Sequence, residues 1–227
     1  MAKERLTIEK LKEEARKFCI SETKKDNMEL FGATDGKKVG TYVEHEFQKQ
    51  LSKKYIVNIG SSAIGIDLPS PEIMTDIKVT SIKQPQSSCP FNDAKQKIFG
   101  LGYNILVFVY EKIDDPVKQT AKLNFLSCSF ISKERTADYT TTFRLREMVK
   151  DGANTADIIA YLTDRNIPAD DITLAQIAQQ IIENPPLQGY LTISNALQWR
   201  LQYQRIVSLD KEVSGISKLI DKNNEGI

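Results

Sequence analysis

The spacing of apolar residues along the first 142 positions predicts helices and strands in alternation. Apolar residues three or four positions apart predict helices over residues 8–18 and 41–54, and a run ending at glycine predicts another over residues 92–100. Alternating or continuous apolar runs predict strands over residues 55–59, 63–68, 73–82, 103–110 and 122–131. The run YNILVFVY at residues 103–110 is apolar enough to lie in the middle of a sheet.

The pattern changes after residue 142, where helical spacing dominates. Four helices are predicted there, over residues 143–150, 155–165, 173–183 and 194–209. We therefore expect an α/β (α+β) fold in which residues 1–142 form a mixed central sheet flanked by helices. Residues 143–227 are expected to form a C-terminal helical region.

The composition is that of a globular protein without a disulfide framework. The 227 residues are 41% hydrophobic and 27% charged, which are ordinary values for a folded chain. No apolar run reaches the roughly 18–20 residues that span a bilayer, and the charged N-terminus has no secretory apolar segment. The three cysteines are odd in number and widely scattered, which indicates free thiols in a reducing compartment. We expect a cytoplasmic protein.

The net charge and the single histidine argue against several classes of nucleic-acid-binding protein, metal site and nuclease. A net charge of +1 is low for a non-specific nucleic-acid coat, although a sequence-specific enzyme can concentrate positive charge on one face. The single histidine, His45, argues against His-rich zinc sites, HNH nucleases and paired-histidine phosphodiesterases, which need more imidazoles. The chain contains no CxxC pair, which argues against a cysteine zinc site.

One predicted strand carries two opposite charges on the same face. In the segment TDIKVTSIK, Asp76 and Lys78 are two positions apart, so period-two alternation holds both side chains on one side of the strand. Asp67 lies in the preceding predicted strand, and antiparallel pairing of the two strands would bring it opposite Asp76 and Lys78. Glu44, in the helix before them, is a third candidate carboxylate.

Such a group of carboxylates with an adjacent amine has the composition of a magnesium site for phosphoryl chemistry. Magnesium prefers hard oxygen ligands, commonly one or two carboxylates, and completes its shell with water and substrate phosphate. A bound metal acidifies water and neutralises charge on a scissile phosphate. A lysine beside it can position or deprotonate the attacking water and stabilise the transition state.

The chain resembles the PD-(D/E)xK nuclease superfamily in the order of four residues: Glu44, Asp67, Asp76 and Lys78. Its size and predicted architecture resemble those of the type II restriction endonucleases in that superfamily. The resemblance covers about residues 38–132. It implies a nuclease core over residues 1–142, with Asp67, Asp76 and Glu44 as metal ligands and Lys78 as a catalytic residue. It further implies Mg²⁺-dependent cleavage of double-stranded DNA that leaves 5′-phosphate ends.

The partners follow from that resemblance. Cleavage of both strands at a symmetric site favours a homodimer, and a restriction enzyme implies a cognate DNA methyltransferase as a genetic partner. Residues 143–227 would then serve DNA contact, dimerisation or both. The polar segment after the catalytic strand supplies the candidate DNA contacts, which are Lys83, Gln84, Gln86, Ser87 and Ser88. Four arginines are further candidates for phosphate contacts: Arg144, Arg146, Arg200 and Arg205.

Several alternatives stay open at this point. The usual proline before the strand aspartate is absent, Glu46 competes with Glu44, and Glu72 could replace Asp67 if the strand register differs. An Asp-x-Lys triplet can also be an ordinary surface salt bridge, worth under about 1 kcal/mol. A structure-specific repair or recombination nuclease is one alternative function. Another is a non-catalytic DNA-binding regulator that uses a helix-turn-helix around ITLAQIAQQII.

Overall fold

The computed structural model describes residues 3–60, 65–89, 93–194 and 199–222, whose strands and helices are numbered here in chain order. The strands are β1 (Glu4–Arg5), β2 (Tyr55–Ile56), β3 (Thr75–Ser81), β4 (Gln86–Cys89), β5 (Asn104–Asp115), β6 (Thr120–Ile131), β7 (Thr192–Ile193), β8 (Trp199–Gln202) and β9 (Ile216–Asp221). The helices are α1 (Ile8–Glu22), α2 (Gly36–Lys54), α3 (Gln96–Phe99), α4 (Tyr139–Lys150), α5 (Thr155–Asp164), α6 (Asp171–Glu183) and α7 (Gln204–Val207).

A four-stranded mixed sheet forms the centre of the molecule, in the order β3-β5-β6-β9. Strand β3 pairs parallel with β5, whereas β5–β6 and β6–β9 are antiparallel. The sheet is flanked by helices, which confirms the predicted mixed α/β fold and is consistent with a restriction-endonuclease-like fold. Strand β3 lies at one edge, so its outer backbone groups need partners from outside the sheet.

Helices α1 and α2 cover one face of this sheet. Helix α2 begins at Gly36 because the Asp35 side chain caps it by accepting a hydrogen bond from the Lys37 N–H (2.8 Å). Its buried stripe repeats every four residues and packs on the sheet: Val39, Val43, Phe47 and Leu51. The predicted start at residue 41 is therefore five residues late, because a capping aspartate, not the first apolar residue, sets the helix start.

A small antiparallel sheet, in the order β4-β8-β7, covers the opposite face of the central sheet. Alternate residues of β5, including Ile105 and Val107, point towards it and pack with Leu201, Tyr203 and Ile193. Helices α4, α5 and α6 form a third apolar cluster of their own, which also includes Ile98 of α3. None of the described helices is both long and apolar enough to cross a membrane.

Most predicted elements are confirmed, but the end of the chain was predicted wrongly. Instead of a helix over residues 194–209, the described part contains strand β8 and the short helix α7, while residues 195–198 lie outside the description. Strand β9 was not predicted, and it returns to the central sheet beside β6. The predicted helical region is therefore helical up to Glu183, and the described residues after it contain only the short helix α7 between strands.

Two other predictions hold only in part. Of the predicted strand 63–68, residues 63 and 64 lie outside the description, and the remainder contributes a single antiparallel bridge between Leu68 and Thr75. Of the predicted helix 92–100, residue 92 lies outside the description and only Gln96–Phe99 is helical. The final glycine of that prediction, Gly100, does end the helix, with a φ of 97°.

Candidate active site

Asp76 and Lys78 project from the same face of β3, as alternation along a strand requires. Their side chains form an ion pair of 2.7 Å, in which the Asp76 side chain is 5% exposed and the Lys78 side chain 21% exposed. Ile77, between them, points to the opposite face and joins the core beneath α1 and α2. The pair is therefore held on a buried strand and does not have the geometry of an exposed surface salt bridge.

Asp67 reaches the same place by a different route from the predicted hairpin. It does not lie in a regular strand, but its carboxylate accepts a hydrogen bond from the backbone N–H of Ile77 (2.7 Å). This bond satisfies one of the outer N–H groups of the edge strand β3. The Asp67 carboxylate also comes within hydrogen-bonding reach of the Asp76 carboxylate. This contact and the antiparallel bridge between Leu68 and Thr75 take the place of the predicted longer ladder.

The helix carboxylate nearest to this group is that of Glu44. It lies at the border of the buried stripe of α2, where its side chain accepts a hydrogen bond from Gln48 (3.3 Å) and interacts with Asp67. Glu46 instead forms an ion pair with Lys49 (3.2 Å). The other competitors also lie apart from the group: Glu72 is exposed in the turn before β3, and His45 is exposed on α2.

Burial and like charge raise the pKa values of both aspartates. For Asp76, burial is the largest cause and Asp67 adds to it, so the pKa rises to about 7 although Lys78 opposes the shift. The pKa of Asp67 is also raised, again mainly by burial, with Glu44 contributing. Burial acts to lower the pKa of Lys78, but the facing carboxylates of Asp76 and Asp67 outweigh it, so this pKa is raised.

The carboxylates of this group could bind a magnesium ion as a pair, but they do not form a complete set of protein ligands around an ion. Within the four described stretches of the chain, no three His, Cys, Asp or Glu side chains are arranged to hold a metal ion together. The carboxylates form two neighbouring pairs, Asp67 with Asp76 and Asp67 with Glu44. Because Mg²⁺ is commonly bound by one or two carboxylates plus water and substrate phosphate, the Asp67–Asp76 pair meets its needs.

The candidate DNA-contacting residues divide between two environments. Lys83 and Gln84 are exposed in the turn after β3, and Ser88 is exposed on β4, with Gln86 half-buried on the same side. Ser87 points the other way, and its hydroxyl forms a 2.6 Å hydrogen bond with the buried Tyr203 hydroxyl. Ser87 therefore supports the small sheet and does not share the face of its neighbours.

The sequence analysis did not identify the residues that lie near Lys78 between the central sheet and the small sheet. The Cys89 thiol is buried, lies 3.6 Å from the Tyr103 hydroxyl, and is close enough to Lys78 and Asp76 for their charges to act on its pKa, which burial raises. Thr80, on the same face of β3, contacts the backbone of the following turn. The available signal was the two-residue spacing of Asp76, Lys78 and Thr80 along the strand.

Comparison with known proteins decides the family. A family model described as Type II restriction enzyme NspV matches residues 5–218. The chain belongs to this family of type II restriction enzymes. A relative, Type II restriction enzyme NspV from a Nostoc species, is 49% identical over 218 residues, which are 96% of this chain and 98% of the relative. No solved structure matches the chain.

Family membership makes the protein a restriction endonuclease, a site-specific deoxyribonuclease that acts on double-stranded DNA. Type II restriction enzymes generally use divalent metal ions, which agrees with the carboxylate pair of Asp67 and Asp76. The expectation of a nuclease is thereby confirmed. The DNA-binding regulator is excluded as an interpretation, and the restriction enzyme is favoured over a repair nuclease.

Proposed function

We propose that this restriction enzyme hydrolyses DNA with Mg²⁺ at a PD-(D/E)xK site made of Asp67, Asp76 and Lys78, assisted by Glu44. The observation that carries the proposal is the buried 2.7 Å ion pair between Asp76 and Lys78, with a second carboxylate within reach. Two buried like charges cost free energy unless a cation lies between them or one is protonated. Asp76 is buried, Asp67 is half-buried, and Lys78 balances only one of their two charges, so a bound cation would stabilise the pair.

Each residue has one task in this proposal. Asp67 and Asp76 would hold the ion, and Glu44 would orient Asp67 from α2. When bound, Mg²⁺ supplies acidified water and neutralises negative charge at the scissile phosphate. Lys78 donates hydrogen bonds that orient the attacking water, and its ammonium group stabilises the negative charge that develops on the phosphate oxygens. Attack of the water on phosphorus breaks the P–O3′ bond, so that O3′ leaves as a 3′-hydroxyl and the other end keeps the 5′-phosphate that the resemblance implies.

Cleavage of plasmid DNA with and without metal tests the proposal. Purified protein with Mg²⁺ is expected to give discrete fragments, and excess EDTA is expected to stop cleavage until Mg²⁺ is restored. Ligation of the products without prior kinase treatment checks for 5′-phosphate ends. Discrete fragments of undiminished yield in EDTA would contradict the metal requirement while leaving the restriction activity itself intact.

Exchange of Glu44 for Gln is expected to reduce the cleavage rate about 10- to 100-fold, because groups that support metal ligands have effects of this size. The matched control is Glu46→Gln, because the Glu46 carboxylate pairs with Lys49 at 3.2 Å and, unlike that of Glu44, does not act on Asp67. It removes only an exposed ion pair, so its rate should stay within about twofold of wild type. Equal losses in the two variants would show that α2 needs its charges for folding and not for catalysis.

The remaining parts of the proposal concern partners. We propose that the enzyme is a homodimer, because a symmetric site is cut on both strands by two copies of one active site. Residues 143–227 would supply dimer contacts, DNA contacts or both, and Lys83 and Gln84 would contact DNA from the turn after β3. A cognate methyltransferase would protect the host's own sites.

A further inference from the structure

The small sheet has an exposed face that is polar at every position described. On β4, Gln86 and Ser88 alternate with buried neighbours, and on β8 the exposed residues are Arg200 and Gln202. The antiparallel register places Gln86 opposite Gln202 and Ser88 opposite Arg200. On the third strand, Thr192 lies opposite Gln202. These five residues are here called the polar face.

The other face of the same sheet fixes the orientation of these side chains. Cys89, Leu201 and Ile193 are buried against the central sheet. The Tyr203 backbone N–H donates to the Pro85 carbonyl oxygen (2.8 Å), which ties the end of β8 to the start of β4. Because the buried face cannot turn outwards, the register holds the polar face towards solvent.

The side chains of the polar face are of the kinds that recognise base edges. Arginine can form two hydrogen bonds with the O6 and N7 atoms of guanine, and glutamine can do the same with N6 and N7 of adenine. Arg200 is exposed and forms no ion pair with any carboxylate in the part of the chain that the structure describes. Strands β4, β7 and β8 contain no Asp or Glu that would repel DNA.

The polar face is also tied to the catalytic strand. Only residues 82–85 separate β3 from β4. The Thr80 hydroxyl accepts a hydrogen bond from the Gln86 N–H (3.1 Å) and lies 3.2 Å from the Gln84 carbonyl oxygen. At the far end of β4, Cys89 lies close to Lys78. These contacts hold the small sheet at a fixed position relative to the catalytic strand, with Cys89 on the side towards Lys78 and the polar face on the other side.

We propose that the polar face enters the DNA major groove and that Arg200, Gln202 and Gln86 read base edges there. Strands β4 and β8, which carry these three residues, form a two-stranded antiparallel ribbon with its strands about 4.8 Å apart, and the major groove is about 12 Å wide and admits a two-stranded β-ribbon. Arg200 and Gln202 lie on β8, the middle strand of the small sheet. The inference rests on the proposed function for the position of the scissile phosphate.

Binding measurements on Arg200→Ala test this proposal, in an Asp76→Asn chain so that DNA is not cut. The probes are a short duplex carrying the sequence at which wild type cuts plasmid DNA, and a duplex of equal composition with that sequence scrambled. Loss of a base-reading arginine should weaken binding to the first probe about 10- to 100-fold, and binding to the scrambled probe less than about threefold. Gln202→Ala should act in the same direction.

Two controls separate base reading from other causes. Arg200→Lys keeps the charge but loses the planar fork, so it should restore little of the discrimination. Arg16→Ala removes an exposed arginine from α1, on the other side of the central sheet, and should change neither affinity. Equal loss on both probes would mean that Arg200 contacts phosphates, and no loss on either would mean that the face does not meet DNA; each result overturns the proposal. Cleavage that persists without metal would refute the proposed function yet leave this binding ratio readable.

Discussion

Replacing Lys78 with Met is expected to lower the rate of DNA cleavage about 10²- to 10⁴-fold, with little change in affinity for the duplex. The Lys78 ammonium group lies 2.7 Å from the Asp76 carboxylate and places a positive charge beside the carboxylates of the candidate site. Methionine keeps the length and packing of the side chain but supplies no hydrogen bond and no charge. Asp76→Asn should lose activity to a similar extent, because it removes one member of the proposed metal-binding pair.

Single-turnover cleavage measures this effect, with DNA binding measured separately on the same variants. Removing one member of a buried ion pair can also destabilise the fold by several kcal/mol, so each variant is first compared with wild type by circular dichroism. Lys49→Ala is the matched lysine control, since that side chain is exposed and pairs with Glu46 on α2, away from the carboxylate group. A folded Lys78→Met protein that retains more than about a tenth of the wild-type rate would falsify the assignment of Lys78.

Phe108→Ala is expected to lower the free energy of unfolding by about 3–5 kcal/mol, the range for large-to-small substitutions of buried aromatic residues. Phe108 is fully buried on β5, and its ring makes edge-on contacts with three other phenylalanine rings. The centroid distances are 5.3 Å to Phe47, 5.8 Å to Phe18 and 5.9 Å to Phe125. The cluster joins α1 and α2 to the central sheet, so the substitution leaves a cavity in the layer that positions Glu44.

Urea unfolding followed by circular dichroism checks the expected loss. With a dependence on urea near 2–3 kcal/mol per molar, the midpoint should fall by about 1–2 M. Val117→Ala is the control, because that side chain is 94% exposed in the turn between β5 and β6 and its truncation should cost less than about 0.5 kcal/mol. Similar midpoints for the two variants would mean that the aromatic cluster is not the principal packing between the helices and the sheet.

Local patterns predicted those parts of the active site that depend on a single element. The two-residue spacing of Asp76 and Lys78 was sufficient to put both on one face of β3, and the i+4 stripe of α2 placed Glu44 at the border of the buried face. Asp67 was predicted near them by an antiparallel strand pair, of which only the bridge between Leu68 and Thr75 forms in the described residues. The carboxylate is brought to β3 by a hydrogen bond from the Ile77 N–H, which no periodicity encodes.

Local sequence patterns also failed to predict β8, the middle strand of the small sheet that carries the polar face. Residues 200–203 alternate between exposed and buried, yet the apolar spacing around them also suits a helix, and a helix was predicted. Short segments with mixed signals take the structure that their neighbours can bury. Here Leu201 and Tyr203 pack against the uncovered face of β5 and β6, and only a strand can direct both of them there.

Some elements could be predicted from sequence because each depends on residues within one segment. These are the helices α1, α2 and α4 to α6, the central strands β3, β5 and β6, and the Asp-x-Lys pair. Tertiary structure decided the addition of β9 to the central sheet and the pairing of β4 with β8, whose partners lie more than 80 residues apart in the chain. It also decided that Glu44 and not Glu46 approaches Asp67. Such pairings depend on which surfaces remain uncovered once the central sheet has formed. Those surfaces are made by residues far apart in the sequence, so no single segment predicts them.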